Sequence, residues 1–173
     1  MSLVASKLPC GFVKSPNPIS AVLHGEQGFV RILAATSESI ALPAGEWRLL
    51  SYRIDRTPPN ERKIPIQVGP FPKDTRTYLD AGGTGTTPTT RVTEGNTVPL
   101  AFGPPYRALV KRRGQQDYYP SSGGTEMLSL NLIGSASEVC TNVKIHGSNP
   151  PQPSFTIAST EGEIVERGTF EYG

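Results

Sequence analysis

Two histidines are the only imidazole bases in the chain, so they are the first residues to consider for catalysis. His24 and His146 each precede a glycine at the end of an apolar run, as loop histidines do. A nucleophilic hydrolase needs such a base beside a serine or cysteine, yet no Gly-x-Ser-x-Gly elbow occurs. No His-x-His, Glu-x-x-His or Cys-x-x-Cys spacing gathers metal ligands. We therefore predict no catalytic residues, no metal site and no cofactor.

Carboxylates offer a second kind of chemistry, because a glycosidase needs two of them about 5–10 Å apart. Glu46, Asp55, Asp80 and Glu138 are the candidates, and each lies near the end of a predicted strand. Solvated carboxylates are ordinary at strand ends, and the sequence alone pairs none of these four. A hydrolase with an unrecognised site therefore stays a third hypothesis, behind two binding functions.

Aromatic side chains suggest the first alternative function, carbohydrate binding. Tyrosine and tryptophan rings stack on sugar C–H groups, and the phenol adds a hydrogen bond. Tyr118 and Tyr119 lie in a turn-rich loop, and loops at the ends of β-sandwiches often carry recognition. Tyr106 and Trp47 complete the predicted sugar-binding set. Core packing is the competing interpretation for Trp47, which lies within a predicted strand.

The two cysteines, Cys10 and Cys140, lie far apart in the chain and predict one disulfide in an oxidising compartment. Strand alternation places Cys140 on the face opposite Val139 and Val143. The N-terminal segment that carries Cys10 is expected to cross that outer face, which favours the bridge. Two free, buried thiols remain the alternative.

Composition restricts the class of protein. Only 36% of residues are apolar and 18% are charged, and 18 glycines and 17 prolines supply many turns. This balance favours short strands over long helices. No apolar run approaches the roughly 20 residues of a membrane span. The net charge is +2, and the basic run at 111–113 is expected to be a solvated hairpin tip, so we predict no nucleic-acid binding.

No secretory signal precedes the first apolar run. The chain is therefore either intracellular or a mature, exported chain with an added methionine. We expect the second, and so predict a secreted or cell-surface location.

Alternating apolar residues between turn residues predict about ten to twelve short strands. At 46–55 the apolar phase switches between Leu49 and Leu50, which indicates a bulge or two covered faces. Both faces of 29–35 are apolar, which predicts a central strand. The clearer segments are 19–23, 29–35, 39–42, 46–55, 89–93, 98–102, 106–112, 127–133, 139–145, 154–158 and 163–172, and 64–68 and 77–79 are short candidates.

The segments between these strands also carry expectations. Residues 8–18 contain three prolines and are predicted to be extended and irregular. Residues 81–90 are rich in glycine, threonine and proline, which predicts a mobile loop or a weak subdivision of one enlarged domain over 1–173. In 127–133, Leu128, Leu130 and Leu132 share one face and form the clearest half-buried strand.

Three strings resemble parts of known bacterial modules. They are Leu-Pro-Ala-Gly-Glu-Trp-Arg-Leu at 42–49, Val-Thr-Glu-Gly-Asn-Thr-Val-Pro-Leu at 92–100 and Glu-Gly-Glu-Ile-Val-Glu-Arg-Gly-Thr-Phe-Glu-Tyr-Gly at 161–173. The first two resemble a strand entry and a hairpin of transthyretin-like (carboxypeptidase-regulatory-like) or PEGA-type β-sandwich modules. The third resembles a terminal hairpin and the endings of β-sandwich domains in large bacterial surface and secreted proteins. The resemblance implies a mostly non-catalytic spacer, adhesion unit or accessory domain.

Together these observations predict an all-β, antiparallel sandwich of the immunoglobulin-like or transthyretin-like kind. The predicted function is a non-catalytic structural or protein-interaction module of a secreted or cell-surface assembly, with a protein partner or self-association. The alternative is a carbohydrate-binding module that recognises a polysaccharide through its loop tyrosines.

Overall fold

The fold is all-β throughout the part of the chain that the computed structural model describes, which is residues 8–58, 75–112 and 128–171. Thirteen strands and no helix occur within these ranges, which confirms the predicted fold class. None of the described segments forms a helix with the length and apolar character to cross a membrane. The predicted strand at 64–68 lies outside the described residues.

Strand boundaries follow the turn residues closely. In chain order the strands are β1 (Cys10–Lys14), β2 (Ile19–Gly25), β3 (Gly28–Ala34), β4 (Ser39–Pro43), β5 (Gly45–Asp55), β6 (Tyr78–Gly82), β7 (Thr90–Val92), β8 (Thr97–Pro99), β9 (Arg107–Arg112), β10 (Leu128–Ile133), β11 (Val139–Lys144), β12 (Ser154–Ala158) and β13 (Ile164–Thr169).

The described strands form three sheets. An eight-stranded sheet has the order β3-β2-β5-β6-β11-β10-β9, and β7 pairs with the first residues of β5. A three-stranded sheet has the order β4-β1-β8, in which β1 and β8 run parallel. The third sheet is the two-stranded pair β12-β13. The other pairings are antiparallel, so hairpins build most of the architecture.

The N-terminal segment is a strand, which corrects the prediction that it is irregular. β1 pairs with β4 on one side and with β8 on the other. Its prolines, Pro9, Pro16 and Pro18, flank the strand and so remove no donor from its ladder. Val13 is 1% exposed and lies in the core, whereas Phe12 is exposed. The alternation of β1 was therefore informative, although prolines surrounded it.

A bulge in β5 keeps its apolar side chains on one face, as the phase switch predicted. Val22 pairs with Ser51 and Leu23 pairs with Leu49, so Leu50 is the extra residue. The bulge lets side chains on both sides of Leu50 enter the core between the sheets. The buried core consists of Val13, Ile19, Ala21, Leu23, Ile32, Ala34, Leu42, Trp47, Leu49, Tyr52, Ile54, Ala81, Val92, Leu100, Phe102 and Ala136.

β3 is an edge strand, which corrects the prediction of a central strand with two covered faces. It ends the order of the eight-stranded sheet, and only Ile32 and Ala34 of its side chains are buried. Phe29 is 71% exposed and Leu33 is 64% exposed. The ring of Phe29 rests against His24 of β2, with 4.7 Å between the ring centroids. Apolar composition on both faces therefore did not mark a covered strand here.

Residues 81–90 are hydrogen-bonded to the strands around them. The Gly83 amide donates to the carbonyl of Leu50, at the bulge of β5. The Thr84 hydroxyl donates to the carbonyl of Ser137 at 3.2 Å, and Thr87 is buried. The segment thus continues from β6 and fixes the bulge, in place of the mobile loop that its composition predicted.

Replacing Gly83 with alanine tests this arrangement. A methyl group on Gly83 would overlap the carbonyl oxygen of Leu49, which belongs to the backbone of β5. Gly83→Ala is therefore expected to lower the free energy of unfolding by roughly 1–3 kcal/mol in urea denaturation. Gly85→Ala is the matched control, because no atom lies near its added methyl group, and it should change stability by less than about 0.5 kcal/mol. Equal effects would contradict the close approach.

Candidate functional site

Trp47 belongs to the core and does not face a ligand. Its side chain is 2% exposed, and its Nε1 donates a hydrogen bond to the carbonyl of Pro43 at 2.9 Å. A ring enclosed by protein cannot stack on a sugar, so this member of the predicted sugar-binding set is corrected. The competing interpretation, core packing on β5, is the one the structure shows.

Tyr106 joins a buried polar cluster. Its hydroxyl lies 3.2 Å from that of Tyr52. Tyr118 and Tyr119 lie outside the described residues. The structure therefore brings no two of the predicted sugar-binding residues together within its described part, and carbohydrate binding stays a prediction from the sequence.

Glu138 is the centre of this polar cluster and is fully buried, with 0% exposure. Its Oε1 accepts hydrogen bonds from the Tyr52 hydroxyl at 2.9 Å and from the Gly103 amide at 2.6 Å. Its Oε2 accepts one from the Ala136 amide at 2.9 Å. A buried carboxylate without such donors would be strongly destabilising. Glu138 therefore ties β5, the loop before β9 and the turn after β10 together.

Glu138 was predicted to be a solvated carboxylate at a strand end, so its structural role in the core was missed. The feature of the sequence that could have indicated this role is Gly134, four residues earlier. A methyl group on Gly134 would collide with the Glu138 carboxylate, and the Gly134 amide donates to the Glu138 carbonyl at 2.9 Å. Ser137 adopts a positive φ of 66°, which turns the chain back towards β11. The short turn that begins at Gly134 and ends at Glu138 was therefore the local pattern from which a buried glutamate could have been predicted.

Burial keeps the acidic groups around Glu138 neutral. Desolvation raises the pKa of Tyr52 well above its usual range, and the hydrogen bonds to Tyr106 and Glu138 add to that rise. Desolvation also raises the pKa of Tyr106. It raises the pKa of Cys140 to about 11, with a further contribution from Glu138. A thiol with this pKa is protonated at neutral pH and is a poor nucleophile. The hydrogen bonds around Glu138 hold the loop at Gly103 and the turn at Ala136 against β5.

The two cysteines are free, which corrects the predicted disulfide. Cys10 is exposed at the start of β1, and its Sγ contacts the carbonyl of Leu8 at 3.3 Å. Cys140 pairs with Ala81 and packs against the core. The register shifts at Thr141, and this extra residue brings Cys140 and Val143 onto the same face of the sheet. Strand alternation had placed Cys140 on the face opposite Val143, and that placement was wrong because it assumed a strand without this bulge.

Asp80, another carboxylate considered for glycosidase chemistry, pairs with a cation. Asp80 binds the guanidinium of Arg53 through both oxygens, at 2.6 and 2.7 Å, and that guanidinium also lies 4.0 Å from the ring centre of Tyr78. Asp80 therefore has a cation as its partner and not a second carboxylate. Within residues 8–58, 75–112 and 128–171, no three His, Cys, Asp or Glu side chains lie close enough to hold a metal ion.

The pair β12–β13, called the ribbon here, exposes apolar side chains. No other described strand pairs with it. Register places Phe155 and Ile157 on one face with Glu166 and Phe170, and the two phenyl rings lie 5.0 Å apart. Ile157 is 41% exposed on this face. Ile164 and Val165, at the bulge of β13, are 53% and 67% exposed. Ile164 pairs with Ala158 and so lies on the other face, which means that both faces of the ribbon expose apolar side chains. Exposed apolar surface of this kind is typical of a surface that a partner covers.

A second apolar surface, called the leucine face here, lies on β9 and β10. Ile133 of β10 pairs with Val139, and Cys140, the next residue of β11, pairs with the core residue Ala81. Strand alternation therefore places the leucine face on the same side of the sheet as the core. Of the side chains of β9 and β10, only Ile133 is buried, and it is not part of the core cluster between the sheets. The leucine face consists of Leu128, Leu130, Leu132, Ala108 and Val110.

A cavity of about 650 Å³ extends the leucine face towards β11. β10 and β11 register only at Ile133 and Val139 and then separate, which opens the space between them. The linker to the ribbon forms another wall. The apolar lining consists of Leu130, Leu132, Cys140, Val143, Pro150, Pro151 and Pro153.

Thiol chemistry tests the description of the cysteines. Without reductant, both should react with a thiol reagent, because neither is in a disulfide. At pH 8 the Cys10→Ser protein, which retains Cys140, should react about a hundredfold more slowly than a free thiol, because its raised pKa leaves little thiolate. Its rate should rise as the pH approaches 11. The Cys140→Ser protein, which retains the exposed Cys10, is the control. Absence of free thiols would contradict this description.

Comparison with known proteins adds no identification. No family model, curated protein or solved structure matches the chain. The resemblance to transthyretin-like and PEGA-type modules therefore stays a prediction from its three turn motifs.

Proposed function

We propose that this chain is a non-catalytic interaction module of a secreted or cell-surface assembly, and that the ribbon is its interaction element. The observation that carries the proposal is the exposure of Ile157, Ile164 and Val165 on a two-stranded sheet that no other described strand extends.

The energetics of a ribbon support this function. A two-stranded hairpin is marginally stable in water unless a third strand or another layer covers it. Burying one isoleucine or valine side chain stabilises by about 1.5–3 kcal/mol relative to leaving it exposed. Val165, at 67% exposed, leaves most of this energy unused, and Ile164, at 53% exposed, leaves about half of it unused. A partner that covers the ribbon would gain it.

The state of the acidic groups supports a non-catalytic module. Glu138 uses both carboxylate oxygens to bind backbone amides and Tyr52, and Asp80 binds Arg53. The raised pKa of Cys140, about 11, keeps its thiol protonated. Each group is thus engaged in holding strands and loops.

Export is supported by the resemblance to transthyretin-like and PEGA-type modules. The free cysteines do not add to it, because they form no bridge.

Site-specific photocrosslinking tests the ribbon as an interaction element. A benzophenone side chain is placed at Ile157, and the matched control carries it at Phe29, which is also apolar, exposed and on a strand. Irradiation is performed on the purified full chain and on an extract of the source cells, and the adducts are identified by mass spectrometry. We expect a discrete adduct from position 157, because that side chain would lie in the interface, and little from position 29.

The same adduct should weaken when Val165, the extra residue of β13 beside the Ile157–Glu166 pair, is replaced by serine. This substitution should leave the free energy of unfolding within about 0.5 kcal/mol, since the side chain is exposed. Adducts at position 157 that are no more abundant than those at position 29, in both preparations, would overturn the proposed function.

A further inference from the structure

We infer that the partner of the ribbon is a second copy of this chain, whose leucine face the ribbon covers. This inference rests on the proposed function, because it names what the ribbon binds. The two surfaces have matching character: each is an apolar face two strands wide that its own chain leaves partly exposed.

Among the described residues, the leucine face is a part of the sandwich interior that no second layer fully covers. The three-stranded sheet contributes Val13 and Leu42 to the core opposite β2, β3 and β5. That core ends before β10 and β9, although their apolar side chains lie on the same side of the sheet. Val110 is 50% exposed as a result. A β-sandwich is stable when both layers cover such a face, about 10 Å apart.

The ribbon has the shape and chemistry of the missing layer. Its face carries Phe155 and Ile157 along β12, and Phe170, just after β13, lies diagonal to Phe155 with its ring 5.0 Å away. Large aromatic and branched side chains of this kind interdigitate between stacked sheets. Two strands are also the width of the β9–β10 pair that needs covering.

Charge favours the same pairing. Residues 154–171 contain four glutamates and one arginine, a formal charge of −3, whereas the whole chain carries +2. Glu161 and Glu163 lie in the turn between β12 and β13, and Glu171 follows β13, so the negative charge surrounds the ribbon while the chain outside 154–171 carries +5. β9 concentrates three basic side chains, Arg107, Lys111 and Arg112, on an edge strand exposed at every position. Glu166 lies on the apolar face of the ribbon, and Arg112 borders the leucine face opposite Leu128. Opposite charges at these borders would steer and orient the contact.

The linker explains why the ribbon acts on another copy. Pro150, Pro151 and Pro153 already form a wall of the cavity beside Leu130 and Leu132 of their own chain. A proline-rich linker is a semi-rigid spacer and resists folding back over itself. In its own chain the ribbon leaves Ile157 exposed, so the cis contact is not made. Exchange of ribbons between two copies closes the contact symmetrically.

Complementation between two variants of the full chain tests the inference. The ribbon variant is Ile157→Thr, and the leucine-face variant combines Val110→Thr with Leu130→Thr, because threonine keeps the strand preference while removing apolar surface. The matched control is Leu33→Thr on the exposed edge strand β3. Sedimentation velocity measures self-association, and we expect each variant to weaken it about tenfold or more and the control to leave it unchanged.

The decisive sample is the equimolar mixture of the two variants. One copy then supplies an intact ribbon and the other an intact leucine face, so the mixture should associate where neither variant does alone. Charge reversal gives a second reading: Glu166→Arg and Arg112→Glu should each weaken association, and their mixture should restore it.

Three outcomes would overturn the second copy as partner. One is a wild-type chain that stays monomeric at every concentration. Another is association that the ribbon variant abolishes and the leucine-face variant leaves intact, which would mean that ribbons bind each other. The third is a mixture that stays as weak as its components. An Ile157 photoadduct with a different protein, in a monomeric chain, would retain the proposed function while overturning this inference.

Discussion

The structure depends on keeping one face of a wide sheet apolar across strands that do not alternate perfectly. Two single-residue bulges make this possible. The extra residue Leu50 lets both halves of β5 face the core, and the extra residue Thr141 brings Cys140 and Val143 to the same side of β11. Side-chain alternation with a period of two would otherwise move half of these residues to the outer face. The apolar side therefore continues to β10 and β9, beyond the strands that the smaller sheet covers.

Fixing the far half of this sheet requires polar chemistry. Glu138 is buried between Tyr52, the Gly103 amide and the Ala136 amide. It thereby connects the central strand β5 to the loop and turn that frame β9, β10 and β11. A buried carboxylate whose two oxygens both accept hydrogen bonds favours one arrangement of its neighbours, because removing a donor costs a buried polar atom one of its hydrogen bonds. The leucine face is thus presented by a fixed frame and is open to a second layer.

Much of this fold was readable from the sequence because glycine and proline end the strands where the chain turns. The all-β class, which follows from the composition, the bulge in β5 and the shared face of the three leucines were correctly predicted. The prediction failed where a pairing partner decided the outcome. β1 was missed because its prolines flank a strand that β4 and β8 complete, and β3 is an edge strand although both its faces are apolar. The position of Cys140 and the burial of Glu138 depend on a bulge and on donors from distant segments, which local patterns do not contain.

Amide hydrogen exchange at low and high protein concentration shows whether another copy covers the part of this sheet that extends past the smaller sheet. We expect exchange to slow with concentration in Leu128–Ile133 and Ser154–Ala158 together, while Gly28–Ala34 at the opposite edge is unaffected. Exchange in β10 and β12 that is equally slow at every concentration would contradict this expectation, because the chain would then cover its own leucine face. Fast exchange that never changes would contradict it as well, because no second layer would then form.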